Sequence, residues 1–198
     1  GLVTGTGTYD VSDTASKIEA EAAKTNAGVL DNADDVSANA TVTLTVAEYK
    51  ALDDADTDLL TAYKIEDSAS AIEAEAAKTN AGVLAGATSI TSDDRNLNLT
   101  VAQADAIDGK LSATGYKVVD TASAVEGAFD DAALKAALLG ADSVAYAAGE
   151  TGKADLTAAE YSALKAAVTH TATDFTISDS PANINGSTLI TADYAAVH

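Results

Sequence analysis

The 22 residues from Tyr9 to Leu30 recur from Tyr63 to Leu84 with 17 positions identical, including the unbroken run EAEAAKTNAGVL. A third copy begins at Tyr116 (YKVVDTASAVEGAFDDAAL) and a shortened fourth at Phe175 (FTISDSPANI), so the four anchors are spaced by 54, 53 and 59 positions. A fixed period of this length constrains the fold more than local propensity does. Each copy is a small unit whose apolar face needs a neighbour to cover it. On this basis residues 1–8 are the end of a preceding unit or a cloning remnant. Repeat 1 then spans 9–62, repeat 2 spans 63–115, repeat 3 spans 116–174 and a truncated repeat 4 spans 175–198, in one continuous array.

Within each copy the apolar residues carry the local structure. Tyr9 and Val11, Tyr63 and Ile65, Tyr116 and Val118, and Phe175 and Ile177 alternate with Asp10, Lys64, Lys117 and Thr176, the period-two pattern of a half-buried strand. Asp13, Asp67, Asp120 and Asp179 end that strand, where a carboxylate can accept the free N–H groups of a following helix. Ser16 to Glu19 and Ser70 to Glu73 fit an alternative capping box one turn later. Ile18 with Ala22, and Ile72 with Ala76, then share a helical face, and Asn26-Ala27-Gly28 and Asn80-Ala81-Gly82 supply the stop. Further apolar segments lie around Val36, Ile90 and Val144 and end at Leu44, Leu99 and Leu156. The Thr45-to-Glu48, Thr100-to-Gln103 and Thr157-to-Glu160 spacings recur as capping boxes of a second helix that turns Leu52, Ile107 and Leu164 inward.

The expected fold is α/β: a tandem-repeat, right-handed solenoid of strand–helix–strand–strand–helix units of about 53 residues, with like strands parallel. A string of independent modules is the rival. Units this short sit near the limit for folding alone, and no Pro- or Ser-rich linker separates them; Pro181 is the only proline.

Composition narrows the function. Apolar residues make up 47% of the chain, regularly placed, which argues against disorder. The net charge is −20, with one arginine, Arg95. Binding to phosphate backbones needs clustered Lys and Arg, so nucleic acid is excluded as a partner, and anionic membrane surfaces are disfavoured. The acidity reads as solubility and self-repulsion, as a saline habitat, or as divalent-cation binding. No cysteine is present, so disulfides and thiolate metal sites are absent, a composition that fits secreted bacterial surface proteins. The chain also lacks Met and is expected to be an excerpt of a longer protein, with any export signal elsewhere. No apolar run approaches the ~20 residues that span a bilayer, so no membrane insertion is expected.

Chemistry-bearing residues are few. His170 and His198 do not recur with the repeat, and no Gly-x-Ser-x-Gly elbow accompanies them, so no catalytic residue is assigned and the chain is read as a non-enzyme. Gly5 to Thr8 is too short for a dinucleotide fingerprint, and no phosphate loop or His cluster occurs. Asp54, Asp56 and Asp58 have the alternating spacing that opens a calcium loop, making calcium the one possible cofactor. Leu59 and Ile65 stand where an EF-hand needs Gly and Glu. The pairs Asp34-Asp35, Asp93-Asp94 and Asp130-Asp131 read as solvated acidic faces, the first two able to approach across stacked loops. Tyr9, Tyr63 and Tyr116 read as buried anchors rather than a sugar-stacking platform.

The string Tyr-x-Val/Ile-x-Asp-Thr-Ala-Ser-x-Ile-Glu-Ala, followed by Leu-Thr-Val-Ala-Glu/Gln, resembles tandem repeats of giant secreted bacterial surface proteins. These are adhesin-like or S-layer-associated proteins, often of the RTX exoprotein type. It is carried by Tyr9, Asp13, Thr14, Ala15, Ser16, Ile18, Glu19, Ala20 and Leu44 to Glu48, with their later counterparts. The Gly-Gly-x-Gly-x-Asp calcium nonapeptide of RTX proteins is absent. The resemblance implies an extracellular, cell-surface location and a structural or adhesive role. The implied partners are neighbouring repeats of the same chain and other cell-surface components or glycans. A ligand- or calcium-binding module, displayed on loops after Val36, Ile90 and Val144 with Gly149-Glu150 among them, is the alternative.

Overall fold

Residues 9–30, 33, 35–53, 60, 62–93, 97–107, 109–111, 115–169 and 175–186 are described in a computed structural model. The alternating segments are strands: β1 (Asp10–Asp13), β4 (Tyr63–Asp67), β7 (Tyr116–Asp120) and β10 (Phe175–Ile177). In β4 and β7 the alternation is realised, with Tyr63, Ile65, Tyr116 and Val118 buried and Lys64 and Lys117 exposed. The Ala- and Glu-rich stretches, good helix formers, give α1 (Ala15–Ala22) and α3 (Ala69–Ala76), which bury Ile18 with Ala22 and Ile72 with Ala76. The shorter α5 (Ala122–Gly127) takes their place in repeat 3.

These helices begin two residues ahead of the alternative capping-box starts at Ser16 and Ser70. Thr14, Ser68 and Thr121 are the N-cap residues. Ser68 accepts from Ala71 N–H and Thr121 from Ala124 N–H, while Thr14 makes no side-chain cap bond. Ser16 and Ser70 therefore lie inside the first turn, where they cap nothing. The preceding aspartate already satisfies the entering N–H, so the cap falls where strand geometry ends.

The TNAGVL segments form 3-10 turns, Thr25–Leu30 and Thr79–Gly86. Asn80 (φ 53°), Ala81 (φ 56°) and Gly82 (φ 50°) are successive left-handed residues, matched by Ala27 (φ 50°) and Gly28 (φ 58°). Left-handed alanine costs on the order of 1 kcal/mol. Burial of Ala27, Leu30, Ala81 and Leu84 offsets that cost. Repeat 3 lacks the segment and inserts an unanticipated helix, α6 (Ala132–Leu139), whose N-cap Asp131 accepts from Ala133 and Leu134 N–H.

The remaining strands are β2 (Asp35–Ala38), β5 (Ser89–Ser92) and β8 (Ser143–Tyr146), then β3 (Val42–Leu44), β6 (Leu97–Leu99) and β9 (Ala154–Leu156). The second helices are α2 (Val46–Asp53), α4 (Val101–Ala106) and α7 (Ala158–Ala167), followed by α8 (Pro181–Gly186) at the end. Their capping boxes form as read: Thr45 with Glu48, Thr100 with Gln103 and Thr157 with Glu160 exchange side-chain and backbone bonds. Leu52, Ile107 and Leu164 are buried.

All described strand pairs are parallel, in sheets ordered β1-β2, β3-β4-β5, β6-β7-β8 and β9-β10. No closed barrel forms among them. No described strand pairs with its own counterpart in the next repeat. Instead the last strand of one repeat pairs with the first strand of the next. The connections explain this. A parallel crossover needs a dozen or more residues, which the helical links β3-α2-β4 and β4-α3-β5 provide. The short links from β2 to β3, β5 to β6 and β8 to β9 cannot, so the chain changes sheet there.

The chain forms two compact units, one of residues 1–94 and 109–113 and the other of residues 95–108 and 114–198. The first holds sheets β1-β2 and β3-β4-β5 with α1, α2 and α3; the second holds sheets β6-β7-β8 and β9-β10 with α4 to α8. Repeat 2 is divided between them.

Candidate functional site

The recurring polar residues converge where one repeat meets the next. Asp67 Oδ1 accepts from Ser68 N–H (2.7 Å), ahead of α3, while Oδ2 accepts from Val46 N–H (2.9 Å), the first residue of α2 in the preceding repeat. Asp120 does the same with Thr121 (2.8 Å) and Val101 (2.9 Å). Asp179 does so with Ser180 (2.7 Å) and Ala158 (3.2 Å). One carboxylate thus joins the positive ends of two helices from two repeats. The sequence located these aspartates at a helix start but gave no sign of the second helix. Asp179 sits below its ordinary carboxyl pKa, held there by Asn183, then by Ser180 and Ala158 N–H.

The glutamate after the buried Ile or Val makes a second recurring link. Glu19 accepts from Thr43 N–H in β3 (2.8 Å) and Glu126 from Asp155 N–H in β9 (3.2 Å). Aromatic residues form a third. Tyr49 of α2 stacks on Tyr63 with ring centroids 4.1 Å apart, and Tyr161 of α7 packs on Phe175 at 6.0 Å. Ala104 occupies the equivalent place in α4, and there α6 packs against α4. A small side chain at that position leaves room for the added helix.

Among the described residues, the buried charged side chain lies in the first of these junctions. Glu75, with 3% of its side chain exposed, pairs with Lys50 of α2 and with Lys78 (2.8 Å), and accepts from Val83 N–H (3.1 Å). Burial pushes its carboxyl pKa up, but the Lys50, Lys78 and Val83 bonds outweigh that and hold it below its ordinary value. The same ion pair raises Lys78. A side chain at Gly82 would meet this carboxylate, which gives a second reason for glycine beyond its positive φ. Tyr49, Lys50, Tyr63, Glu75 and Lys78 line a cleft of about 460 Å³. At the next junction, repeat 3 has Ala128 where Glu75 stands, and repeat 2 has Asp105 where Lys50 stands. Charge pair and partner are absent together, as a structural joint requires.

Because the folded carboxyl binds its proton less readily than the unfolded chain does, Glu75 contributes stability that is present above its ordinary pKa of 4.5. That contribution is lost as pH falls through the lowered value. Glu75→Gln is expected to cost roughly 1–2 kcal/mol at pH 7, discounted for the part-exposed lysines. It should also flatten the acid limb of a pH–stability curve measured by urea unfolding. An acid limb identical to that of the parent would count against this assignment.

Asp54, Asp56 and Asp58, the candidate calcium ligands, lie outside the described residues, as do His170, His198, Asp34 and Asp94. Asp131 serves as the cap of α6. Glu150 accepts from Gly152 N–H (2.8 Å) within a tight turn at Gly149 (φ 87°). Tyr63 and Tyr116 are 3% and 8% exposed, and their hydroxyls donate to the Val83 and Ala137 carbonyls; Tyr9, half-buried, donates to Val29. Among the described residues, no group of three or more His, Cys, Asp or Glu is placed to hold a metal ion, and no helix is long and apolar enough to cross a membrane. No protein-family profile, curated protein or solved structure matches this chain.

Proposed function

We propose that the chain is a non-catalytic structural or adhesive repeat segment of a large secreted bacterial cell-surface protein. In this reading its units of about 53 residues stack as a right-handed solenoid, with partners among neighbouring repeats and other surface components or glycans. One observation carries this reading: Asp67, Asp120 and Asp179 are each engaged by two successive repeats. The residues that recur are joints, whereas an enzyme or ligand-binding repeat would hold its recurring polar groups toward a substrate.

The test has two arms. Antibodies to the purified chain should label intact source cells, and external protease should remove the label; labelling only after permeabilisation would sink the extracellular reading. Calcium and magnesium at equal ionic strength should raise the melting temperature alike, as screening ions. A calcium-selective rise abolished by Asp56→Asn would make the chain a calcium-binding module instead. Broad hydrolase and transferase screens should show no turnover that His170→Ala removes.

A further inference from the structure

The face built by β1, α1 and the Thr25–Leu30 turn duplicates the face built by β4, α3 and the Thr79–Gly86 turn, since 17 of 22 residues are the same. On the second face a strand and a helix are seated. Strand β3 runs along β4 (Val42 beside Tyr63, Leu44 beside Ile65), and Val46 N–H donates to Asp67 Oδ2. Tyr49 lies on Tyr63, and Lys50 pairs with Glu75.

On the first face every complementary group is in place, and among the described residues nothing is seated on it. Among the described residues, strand β1 pairs with β2 only. The Asp13 carbonyl accepts from Asn39 N–H on the β2 side, so by alternation the Asp10 and Ser12 N–H groups point to the outer edge. Asp13 Oδ1 holds Thr14 N–H as its counterparts do, but Oδ2 takes Lys17 Nζ (3.2 Å) in place of a helix N–H. Among the described residues, Glu21 pairs with one lysine, Lys24, besides accepting from Val29 N–H, where Glu75 holds two lysines. Tyr9 and Val11 are half-buried, where Tyr63 and Ile65 are buried. Val29 is 56% exposed, the large apolar side chain left in solvent among the described residues, whereas Val83 is half-buried. Val11, Ile18, Glu21, Val29 and Leu30 line a hollow of about 230 Å³.

We propose that this face docks a strand–helix element of the Val42–Asp53 type carried by another repeat. The strand extends the sheet at the outer edge of β1. The helix N-terminus takes Asp13 Oδ2, an aromatic residue at its fourth position covers Tyr9, and a lysine at its fifth reaches Glu21. The proposal rests on the repeat-array reading above and is independent of where the protein resides, so a failed cell-surface experiment leaves it standing.

The test grafts a second copy of residues 42–62 directly ahead of Tyr9 in the otherwise full chain, keeping the spacing seen before Tyr63. Hydrogen exchange of the Asp10 and Ser12 amides is then followed. Sub-global opening of an open edge is suppressed when a strand pairs with it, so protection should rise about tenfold or more. Asp13→Asn should abolish the gain, since its amide group presents N–H to the incoming helix terminus. The β4 amides report that the remainder of the unit stays folded. Unchanged protection overturns the proposal, as does a gain that survives Asp13→Asn. Self-association of the ungrafted chain that protects the same amides would also overturn it, assigning the face to a second copy instead.

Discussion

Tyr63→Ala is expected to destabilise the first unit by about 3–5 kcal/mol, the range for deleting a buried aromatic ring. The ring is 3% exposed, stacks on Tyr49 and is fixed by its hydroxyl bond to Val83. Its removal opens a cavity between α2 and β4 and leaves the Val83 carbonyl short of a partner. Tyr63→Phe should cost only about 0.5–1.5 kcal/mol, the worth of one hydrogen bond. Tyr9→Ala should cost less than Tyr63→Ala because Tyr9 is half-buried. Urea unfolding of the three variants measures this order. An unchanged midpoint for Tyr63→Ala would mean the ring is exposed in solution and would favour sugar stacking instead.

The second large effect is at Asp67. Its two oxygens each hold a backbone N–H at the start of a helix, one from each of two repeats. Charge-assisted bonds of this kind contribute about 1.5–3 kcal/mol each. Asp67→Ala is therefore expected to cost roughly 2–4 kcal/mol after partial solvation of the site. Asp13→Ala is the internal control, since Asp13 holds one backbone N–H and an exposed lysine, and it should cost clearly less than Asp67→Ala. Equal losses at the two positions would show that the bond to Val46 adds nothing, and the joint would no longer explain why the aspartate recurs.

The two residues differ in how far each could be read in advance. Tyr63 was legible because alternation with Lys64 and Glu66 requires one buried face whatever covers it. Asp67 was legible only as a helix-start acid. Its second acceptor oxygen faces a residue 21 positions earlier in the chain, and no spacing rule encodes that partner. Glu75 was not legible at all. It sits in an Ala-Glu run identical to that of Glu21, yet it is buried because Lys50 arrives from the preceding repeat.

What local interactions decide is legible along the chain. The strand segments follow from alternation, the second helices from Thr–Glu or Thr–Gln caps, and the TNAGVL stops from left-handed Asn, Ala and Gly. Each of these is settled within about one turn of chain, where the competing conformations differ by backbone sterics and unmet N–H groups. The tertiary structure alone decided the strand partners. Repeat similarity implies that like strands run parallel but does not say which strands are neighbours. Connection length decides the neighbours, because only the helical links are long enough to bring parallel strands side by side. That constraint places the joints inside the sheets, between the last strand of one repeat and the first of the next. It is also why Asp67, Asp120 and Asp179 each serve two copies at once.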